Sequence, residues 1–379
     1  MRKIKIVISI VLIMVFAVGF VACTPANPDN NGAGGDDTDN SNPGTDDGET
    51  GSGNGEDLTP YYTRVDDDTI LFGSYPQSEV TDESILSRLN TLAGELPSKE
   101  NPKQWTSYGY LQDITYIKSD YMWFIDLAVD GEMYRGVYFV EYRPRDINKN
   151  GGGNLQENYG FELNSVYWYK YEPISWTILE EKDGKAMLLC DIILDCQQFN
   201  FSYTGSVAFD FENMNFKDYI VNNYAESTVK SWLNETFYLT AFTTRQQSKI
   251  DTVLVDNSLE STCYETNENI CENTEDKIFL LSVREIAKYF FDGDHLTFMK
   301  SDALMRKVTK YAYSQGVYAC TWMESYMDYG TWMLRTPDNE INYGVITVEF
   351  DNVGDEGWYR GYSAGMISNG IVPALWISL

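Results

Sequence analysis

Oxygen-bearing side chains between residues 146 and 157 have the spacing of a calcium-binding loop. Asp146, Asn148, Asn150 and Glu157, with a glycine after Asn150, fit the pattern D-x-N-x-N-G-x5-E. Carboxylate and amide oxygens at this spacing wrap a hard cation, and the glycine makes the sharp turn between them. The carbonyl oxygen of Gly152 would complete the shell. Calcium is therefore the one cofactor that the sequence suggests.

An alternative reading of the same segment is a flexible loop. Gly153 stands where a calcium loop usually has an apolar anchor, and the run is rich in glycine. It also follows a predicted strand, whereas an EF-hand loop lies between two helices. Both readings stay open on the sequence alone.

Other catalytic chemistry has little support in the residue types. The single histidine, His295, lies in a polar run that is typical of a solvated loop. A Ser-His-Asp hydrolase would have to use it. No CxxC motif occurs, so a zinc site built from Cys and His is disfavoured. Carboxylate pairs for glycoside hydrolysis are available among the many acidic residues, but no context marks one.

The cysteines beyond Cys23 divide into two groups and one single residue, Cys320. Cys190 and Cys196 flank an apolar stretch and are predicted to be buried thiols. Cys263 and Cys271 lie in a polar loop, where they either close a short disulfide or stay reduced. An odd number of cysteines in this part of the chain leaves at least one free thiol.

Aromatic residues of the C-terminal third offer a route to ligand binding. Four of them lie in Gly- and Asp-rich, loop-like context: Trp322, Trp358, Tyr359 and Tyr362. Exposed aromatic rings on loops favour stacking on a sugar or a peptide, and packing on the domain itself is the alternative. Trp332 and Arg335, on a predicted strand, complete the candidate ligand-binding set. For Arg335 the competing interpretation is a buried structural ion pair.

The N-terminus predicts export and lipid anchoring. Residues 1–22 combine a basic start with a short apolar run, and Cys23 follows directly. This order resembles the bacterial lipobox, in which the cysteine is acylated after cleavage; an ordinary secretory peptide is the alternative. Residues 23–59 are polar and acidic and lack Lys and Arg, which predicts a disordered tether. We therefore expect display on the outer face of the cytoplasmic membrane, with the lipid as the only membrane contact.

The net charge of the remaining domain limits the classes of partner that it can bind. Removing the three basic residues of the signal and the nine acidic residues of the tether from the totals leaves 25 basic and 48 acidic residues, a formal charge of −23. Such a surface disfavours nucleic acid and anionic lipid, both of which need a basic face. Neutral or cationic ligands, such as glycans or peptides, remain.

Periodicity places these residues on an α+β domain at 60–379. Strands are predicted at 69–75, 134–142, 166–171, 174–179, 185–193, 332–335, 343–350 and 371–377. Helices are predicted at 84–92, at 228–238 after a Ser227 cap, from Thr243 or Thr244, at 283–291 and at 302–314. This order predicts short-stranded, mostly antiparallel sheets around a helical centre in one domain.

The order of motifs resembles Gram-positive surface and lipoprotein domains of unknown function. The motifs are FGSYPQ (72–77), WTSYGY (105–110), YRGVYF (134–139), YWYKYEPISWTIL (167–179), LDC (194–196), SWLN (231–234), DKIFLLS (276–282), WMLRT (332–336) and VPALWISL (372–379). In these domains the WMLRT and PALW strands are similar to the C-type-lectin-like fold, whose enzymatic relatives are the formylglycine-generating enzymes.

The resemblance implies a lectin-like scaffold and supplies no reaction. The formylglycine-generating enzymes use a pair of cysteines near the C-terminus, whereas here Cys320 is the only cysteine after Cys271. We therefore expect a non-enzymatic binding or adhesion module for a neutral glycan or a peptide. The alternative is an extracytoplasmic hydrolase or oxidase that acts on envelope or host polymers.

Overall fold

Runs of strands in this chain are separated by short helices. The computed structural model describes residues 60–108, 110–113, 116–118, 122–143, 155–200, 222–293, 302–339, 344–349, 359–363 and 368–379. Its helices are α1 (Glu83–Ala93), α2 (Leu155–Asn158), α3 (Thr228–Trp232), α4 (Tyr238–Ala241), α5 (Thr244–Gln247), α6 (Val283–Phe290) and α7 (Lys310–Ser314). A π-helical turn (Leu233–Phe237) joins α3 to α4, and 3-10 turns lie at Leu259–Ser261, Asp302–Leu304 and Glu324–Tyr326.

The strands of the N-terminal half are β1 (Thr63–Arg64), β2 (Thr69–Glu79), β3 (Thr106–Ser107), β4 (Tyr110–Asp113), β5 (Tyr116–Lys118), β6 (Met122–Val129), β7 (Glu132–Phe139), β8 (Val166–Lys182), β9 (Lys185–Cys190), β10 (Ile192–Ile193) and β11 (Asp195–Cys196). Those of the C-terminal half are β12 (Val253–Val255), β13 (Thr274–Asp276), β14 (Ile278–Phe279), β15 (Arg306–Val308), β16 (Tyr329–Gly330), β17 (Trp332–Pro337), β18 (Gly344–Val348), β19 (Tyr359–Ser363), β20 (Gly370–Ile371) and β21 (Ala374–Ser378).

The largest sheet joins both ends of the domain. Within the described ranges it has nine strands in the order β14-β21-β9-β8-β7-β6-β3, with β2 paired to β8 and β1 to β2. The long strand β8 is its hub, because β2, β7 and β9 all pair with it in antiparallel register. Residues 58–379 accordingly form one compact unit.

Two smaller sheets carry the C-terminal third. One has the order β11-β20-β17-β18-β19, and the other has the order β10-β15-β16. The β17–β20 and β10–β15 pairs are parallel, and the remaining pairs of these two sheets are antiparallel. The fold is therefore α+β with mostly antiparallel open sheets and few helices, as the periodicity predicted at this coarser level.

The apolar core consists of two clusters. The larger one packs side chains of the nine-stranded sheet against α3, α4, α6, α7 and the five-stranded sheet. The smaller one lies between α1 and strands β6–β8, and includes Leu89, Trp105 and Trp168. Helix α1 begins at Asp82, whose carboxylate accepts from two backbone amides, and ends at Gly94 with φ 66°. The helix predicted at 84–92 is confirmed.

In the middle region, helix starts were predicted correctly where the sequence contains a capping residue. The capping box of Ser282 and Glu285 starts α6, and that of Thr243 and Gln246 starts α5. The helix predicted at 228–238 continues to Ala241 through the π-helical turn. In that turn the Asn234 amide donates to the carbonyl of Ile278 at 2.9 Å and accepts from the amide of Lys277 at 2.8 Å, so the SWLN motif fastens the helix to β14.

Several predicted boundaries were wrong, as three examples show. The helix predicted at 302–314 is a 3-10 turn, then strand β15, then α7, because Ile192 and Ile193 pair with β15 and Thr309 caps a new helix. Strand β2 continues past Pro76 to Glu79, with a register shift between Pro76 and Ser78. The two strands predicted at 166–179 are the single strand β8. Strand β6 was missed.

Candidate functional site

A cleft of about 400 Å³ opens where β2 and β8 approach α7. Glu79 at the end of β2 and Tyr167 at the start of β8 contribute from the nine-stranded sheet. The other lining residues come from the segment after α2, from α7 and from the loop before β16: Asn158, Tyr159, Gly160, Phe161, Lys310, Tyr313, Thr321 and Asp328. Aromatic walls with a few polar groups are typical of ligand sites.

One wall of the cleft is the segment from α2 to Phe161. The buried amide of Gln156 accepts from the backbone of Arg143 at 3.0 Å and donates to the carbonyl of Ser314 at 3.3 Å. The Tyr159 hydroxyl donates to the Val317 carbonyl at 2.8 Å and accepts from the Ala319 amide at 3.1 Å. These bonds tie the wall to the opposite side, so the cleft is formed before any ligand arrives.

The opposite wall is α7 together with the loop that ends at Asp328. Thr309 caps the helix through the Ala312 amide. The buried Tyr313 ring packs edge-on against Tyr159 with centroids 4.7 Å apart. Its hydroxyl donates to Oδ1 of Asp328 at 2.9 Å. Burial, followed by the hydrogen bond and charge of Asp328, raises the pKa of Tyr313 well above its usual value, so the hydroxyl stays a donor.

Aromatic rings form the floor near β8. Phe161 packs edge-on against Tyr167 at 4.9 Å and stacks on the core residue Phe139 at 5.3 Å. The Tyr167 hydroxyl accepts from the Glu162 amide at 2.9 Å, and the Phe161 carbonyl accepts from the Tyr142 hydroxyl at 2.7 Å. Phe161 and Tyr167 are therefore fixed from behind, and each remains half-buried at the cleft.

Three charged side chains line the cleft. Glu79 and Lys310 are exposed, and Asp328 is half-buried. The Lys310 ammonium lies 5.2 Å from the centroid of the Tyr313 ring, within the range of a cation–π contact. Two carboxylates, one ammonium and the aromatic rings give hydrogen-bond acceptors and donors beside apolar faces.

Trp322 adjoins the cleft through its neighbour along the chain. It follows Thr321, which lines the cleft, and its side chain is 55 % exposed. Its ring lies 6.1 Å from that of Tyr318. Of the sequence-predicted aromatic set, Trp322 is the described residue whose neighbour along the chain lines the candidate site. The backbone of Tyr359 and Tyr362 lies in β19, and Trp358 lies outside the described residues.

Trp332 and Arg335 lie in the core, which corrects their assignment to the ligand-binding set. Trp332 is fully buried, and its indole donates to the Leu304 carbonyl at 3.1 Å. Arg335 is 2 % exposed, donates to the carbonyls of Leu280 and Asp256, and pairs with Glu285. Alternation along β17 does not expose one face, because both faces of this strand are covered.

The other candidate positions do not assemble into a described site. Asp146, Asn148, Asn150 and Gly152 lie outside the described residues, as does His295, and Glu157 is an exposed residue of α2. The calcium loop therefore stays a prediction. Groups of three or more His, Cys, Asp or Glu side chains placed to hold a metal do not occur in the described ranges.

The cysteines that the structure describes are free thiols. Cys190 and Cys196 are buried, as predicted, and burial raises the pKa of each thiol to about 12. Cys263 and Cys271 are free and half-buried, so the alternative with a disulfide is not the one observed. Each packs against the main core, and side-chain amides hold the loop between them instead: Asn267 and Asn269 donate to the carbonyls of Pro337 and Asp338.

The sequence patterns also gave no indication of a buried polar cluster that includes Tyr311 of α7. The Tyr75 hydroxyl donates to Asp195 at 2.6 Å, and Arg135 donates to the hydroxyl of Tyr311 at 3.2 Å and to both carboxylate oxygens of Asp126. Burial raises the pKa of Asp195. Tyr75 and Tyr311 pack edge-on at 5.7 Å, so the cluster connects the nine-stranded sheet to α7 and β11. Its members bond to one another, which indicates a structural role.

The residues that form the cleft carried no visible signal in the sequence. Tyr167 lies in one of the recognised motifs, and Lys310 and Tyr313 lie in a predicted helix. Nothing in those patterns indicated that they meet Tyr159 and Asp328. Their convergence follows from strand pairing and from the cap at Thr309.

Comparison with known proteins identifies the family. The model of a domain of unknown function, DUF6273, matches residues 183–379, more than half of the chain. The chain belongs to this family. No curated protein and no solved structure matches the chain. The similarity to C-type-lectin-like folds and to formylglycine-generating enzymes therefore stays a prediction.

The matched region contains α7, Asp328 and Trp322, whereas Glu79, Tyr159, Phe161 and Tyr167 precede it. One side of the cleft thus belongs to the family domain and the other to the preceding part of the chain. Within the described residues, no helix has the length and apolar character to cross a membrane.

Proposed function

We propose that this protein is a lipid-anchored surface module that binds a neutral glycan in the cleft between α2 and α7. The observation that carries the proposal is the aromatic lining beside charged hydrogen-bonding groups. Sugar rings present apolar faces that pack on aromatic rings and hydroxyls that bond to carboxylates and amines. The anchor at Cys23 and the tether at 24–59 hold the cleft away from the membrane surface.

The rigidity of the cleft supports a binding role. Gln156 and Tyr159 join the two walls by hydrogen bonds, and Asp328 is oriented by Tyr313. A site that is ordered before binding loses less conformational entropy when the ligand arrives. This favours recognition of a small, repeated unit such as one sugar ring over an extended peptide, which would need a longer groove.

A glycan array with the full chain in detergent tests the proposal. We expect binding to neutral glycans that is abolished by Asn158→Trp, because a large side chain at this exposed lining position fills the cleft. Glu83→Trp places the same side chain at an exposed position of α1 that does not line the cleft, and is the control. Equal binding by wild type and Asn158→Trp would exclude the cleft as the site, and an array with no signal would contradict a glycan ligand.

A hydrolase is the second candidate, and one observation favours it. Glu79 and Asp328 both line the cleft, and glycoside hydrolysis needs two carboxyl groups on either side of the scissile bond. Chromatography of array-positive oligosaccharides after incubation with the protein distinguishes the two functions. Shortened products that disappear with Glu79→Gln and with Asp328→Asn would establish catalysis, and intact ligand would support the binding module.

A further inference from the structure

Trp322 is more exposed to solvent than the other tryptophans that the structure describes. Trp105, Trp123, Trp168, Trp176 and Trp332 are all at most 5 % exposed, and Trp232 and Trp376 are half-buried. Trp322 is 55 % exposed. An indole presents a large apolar face on which the apolar face of a sugar ring can pack.

The loop that carries Trp322 begins and ends at the cleft. Thr321 and Asp328 both line the cleft, and residues 322–327 lie between them. The base of the loop is closed, because the Cys320 amide donates to the Tyr329 carbonyl at 2.8 Å and the Asp328 amide donates to the Cys320 carbonyl at 3.0 Å. Asp328 has φ 67°, a left-handed conformation that Asp adopts more readily than most residues.

A hydrogen bond inside the loop and a ring contact with Tyr318 also order the loop. The Tyr326 amide donates to the Met323 carbonyl at 3.0 Å in the 3-10 turn, and the Trp322 ring leans on Tyr318 at an angle of 45°. A tryptophan on this closed loop, between two residues that line the cleft, offers an apolar face on which a sugar ring can pack.

We propose that Trp322 forms a second sugar subsite, so that the ligand is an oligosaccharide or polymer in which one ring occupies the cleft and the adjacent ring stacks on the indole. This inference rests on the proposed function and adds the length of the ligand. The aromatic contact is expected to raise the affinity for oligomers over the monomer about three- to tenfold.

The test measures affinity against chain length by isothermal titration calorimetry. Full-length protein in detergent is titrated with the monomer, dimer, trimer and tetramer of glucose in β-1,4 and α-1,4 linkage, of N-acetylglucosamine, of xylose and of mannose. For at least one series we expect affinity to rise about three- to tenfold from monomer to dimer or trimer. Trp322→Ala should remove this rise, and Trp322→Phe should restore part of it.

Two controls separate the subsite from general effects. Leu254→Ala removes another exposed apolar side chain, 69 % exposed, that does not line the cleft, and it should leave the length dependence intact. Asn158→Trp should weaken the binding of every length. Unfolding temperatures of all variants show that each is folded.

Each failure has its own signature. Monomer and tetramer bound equally in every series that binds, or a rise that persists in Trp322→Ala, would overturn the second subsite and leave the cleft proposal standing. The absence of binding by every series would overturn both.

Discussion

The Tyr313 hydroxyl donates a 2.9 Å hydrogen bond to Oδ1 of Asp328 and thereby joins α7 to the end of the loop that carries Trp322. Tyr313 is buried, whereas Asp328 is half-buried and lines the cleft. The bond uses one carboxylate oxygen and fixes the direction of the other. The cleft therefore presents an acceptor whose orientation is set by a residue behind it.

Replacing Tyr313 by Phe should weaken glycan binding by about three- to tenfold, because a hydrogen bond of this kind contributes about 0.5–1.5 kcal/mol. The ring and its packing on Tyr159 are kept, so the fold should be preserved. Calorimetry measures the change. Tyr326→Phe is the control, because it removes a hydroxyl from the loop that carries Trp322 and Tyr326 does not line the cleft. An unchanged affinity in Tyr313→Phe would show that the orientation of Asp328 does not matter.

Replacing Arg335 by Met should destabilise the domain by about 3–5 kcal/mol, the usual cost of removing one partner from a buried ion pair. The substitution leaves Glu285 and the carbonyls of Leu280 and Asp256 without their guanidinium donor. Denaturant unfolding measures the loss. Arg88→Met breaks an exposed pair with Asp130 and should change the midpoint little. Similar midpoints for the two variants would argue against a structural role for Arg335.

Asp195 should make stability depend on pH in the direction opposite to that of an ordinary carboxylate. Burial raises the pKa of this group above its unfolded value of about 3.9, so the folded state binds the proton more tightly. Its contribution to stability is complete below the unfolded pKa and is lost as the pH rises through the folded pKa. The free energy of unfolding of the wild type should therefore fall relative to Asp195→Asn over this window.

Denaturant unfolding of both proteins from about pH 4 to about pH 8 checks this sign. Subtracting the two curves removes the contribution of the other carboxylates, which are common to both. A difference that stays constant with pH, or that grows in favour of the wild type, would contradict the raised pKa of Asp195.

Replacing Cys23 by Ala should abolish fatty-acid incorporation, because the lipobox reading makes this thiol the acylation site. Metabolic labelling with a fatty-acid analogue followed by gel analysis measures it. Cys263→Ala keeps the export signal and should be labelled like the wild type. Label retained in Cys23→Ala would refute the lipid anchor and leave the cleft proposal untouched.

Several local features were predictable because neighbours along the chain decide them. Asp82 and Gly94 bound α1, and Ser282 with Glu285 starts α6, since caps act over three or four residues. Strand patterns likewise located β2, β7, β8, β9 and β21 of the nine-stranded sheet. The helix predicted at 302–314 was wrong because a contact between distant segments decides this structure: Ile192 and Ile193 pair with β15 and override the local helical pattern.

The sequence by itself determined that the domain is α+β with mostly antiparallel strands and that the chain is acidic. It also predicts that the chain is exported and lipidated. Only the tertiary structure decided that Trp332 and Arg335 lie in the core and that Trp322 is exposed on the loop between two residues that line a cleft. The cleft brings together Glu79, Tyr167 and Asp328, which are far apart along the chain. Their proximity depends on the pairing of β2 with β8 and on the packing of α7 against β2, interactions between distant segments that no local pattern records.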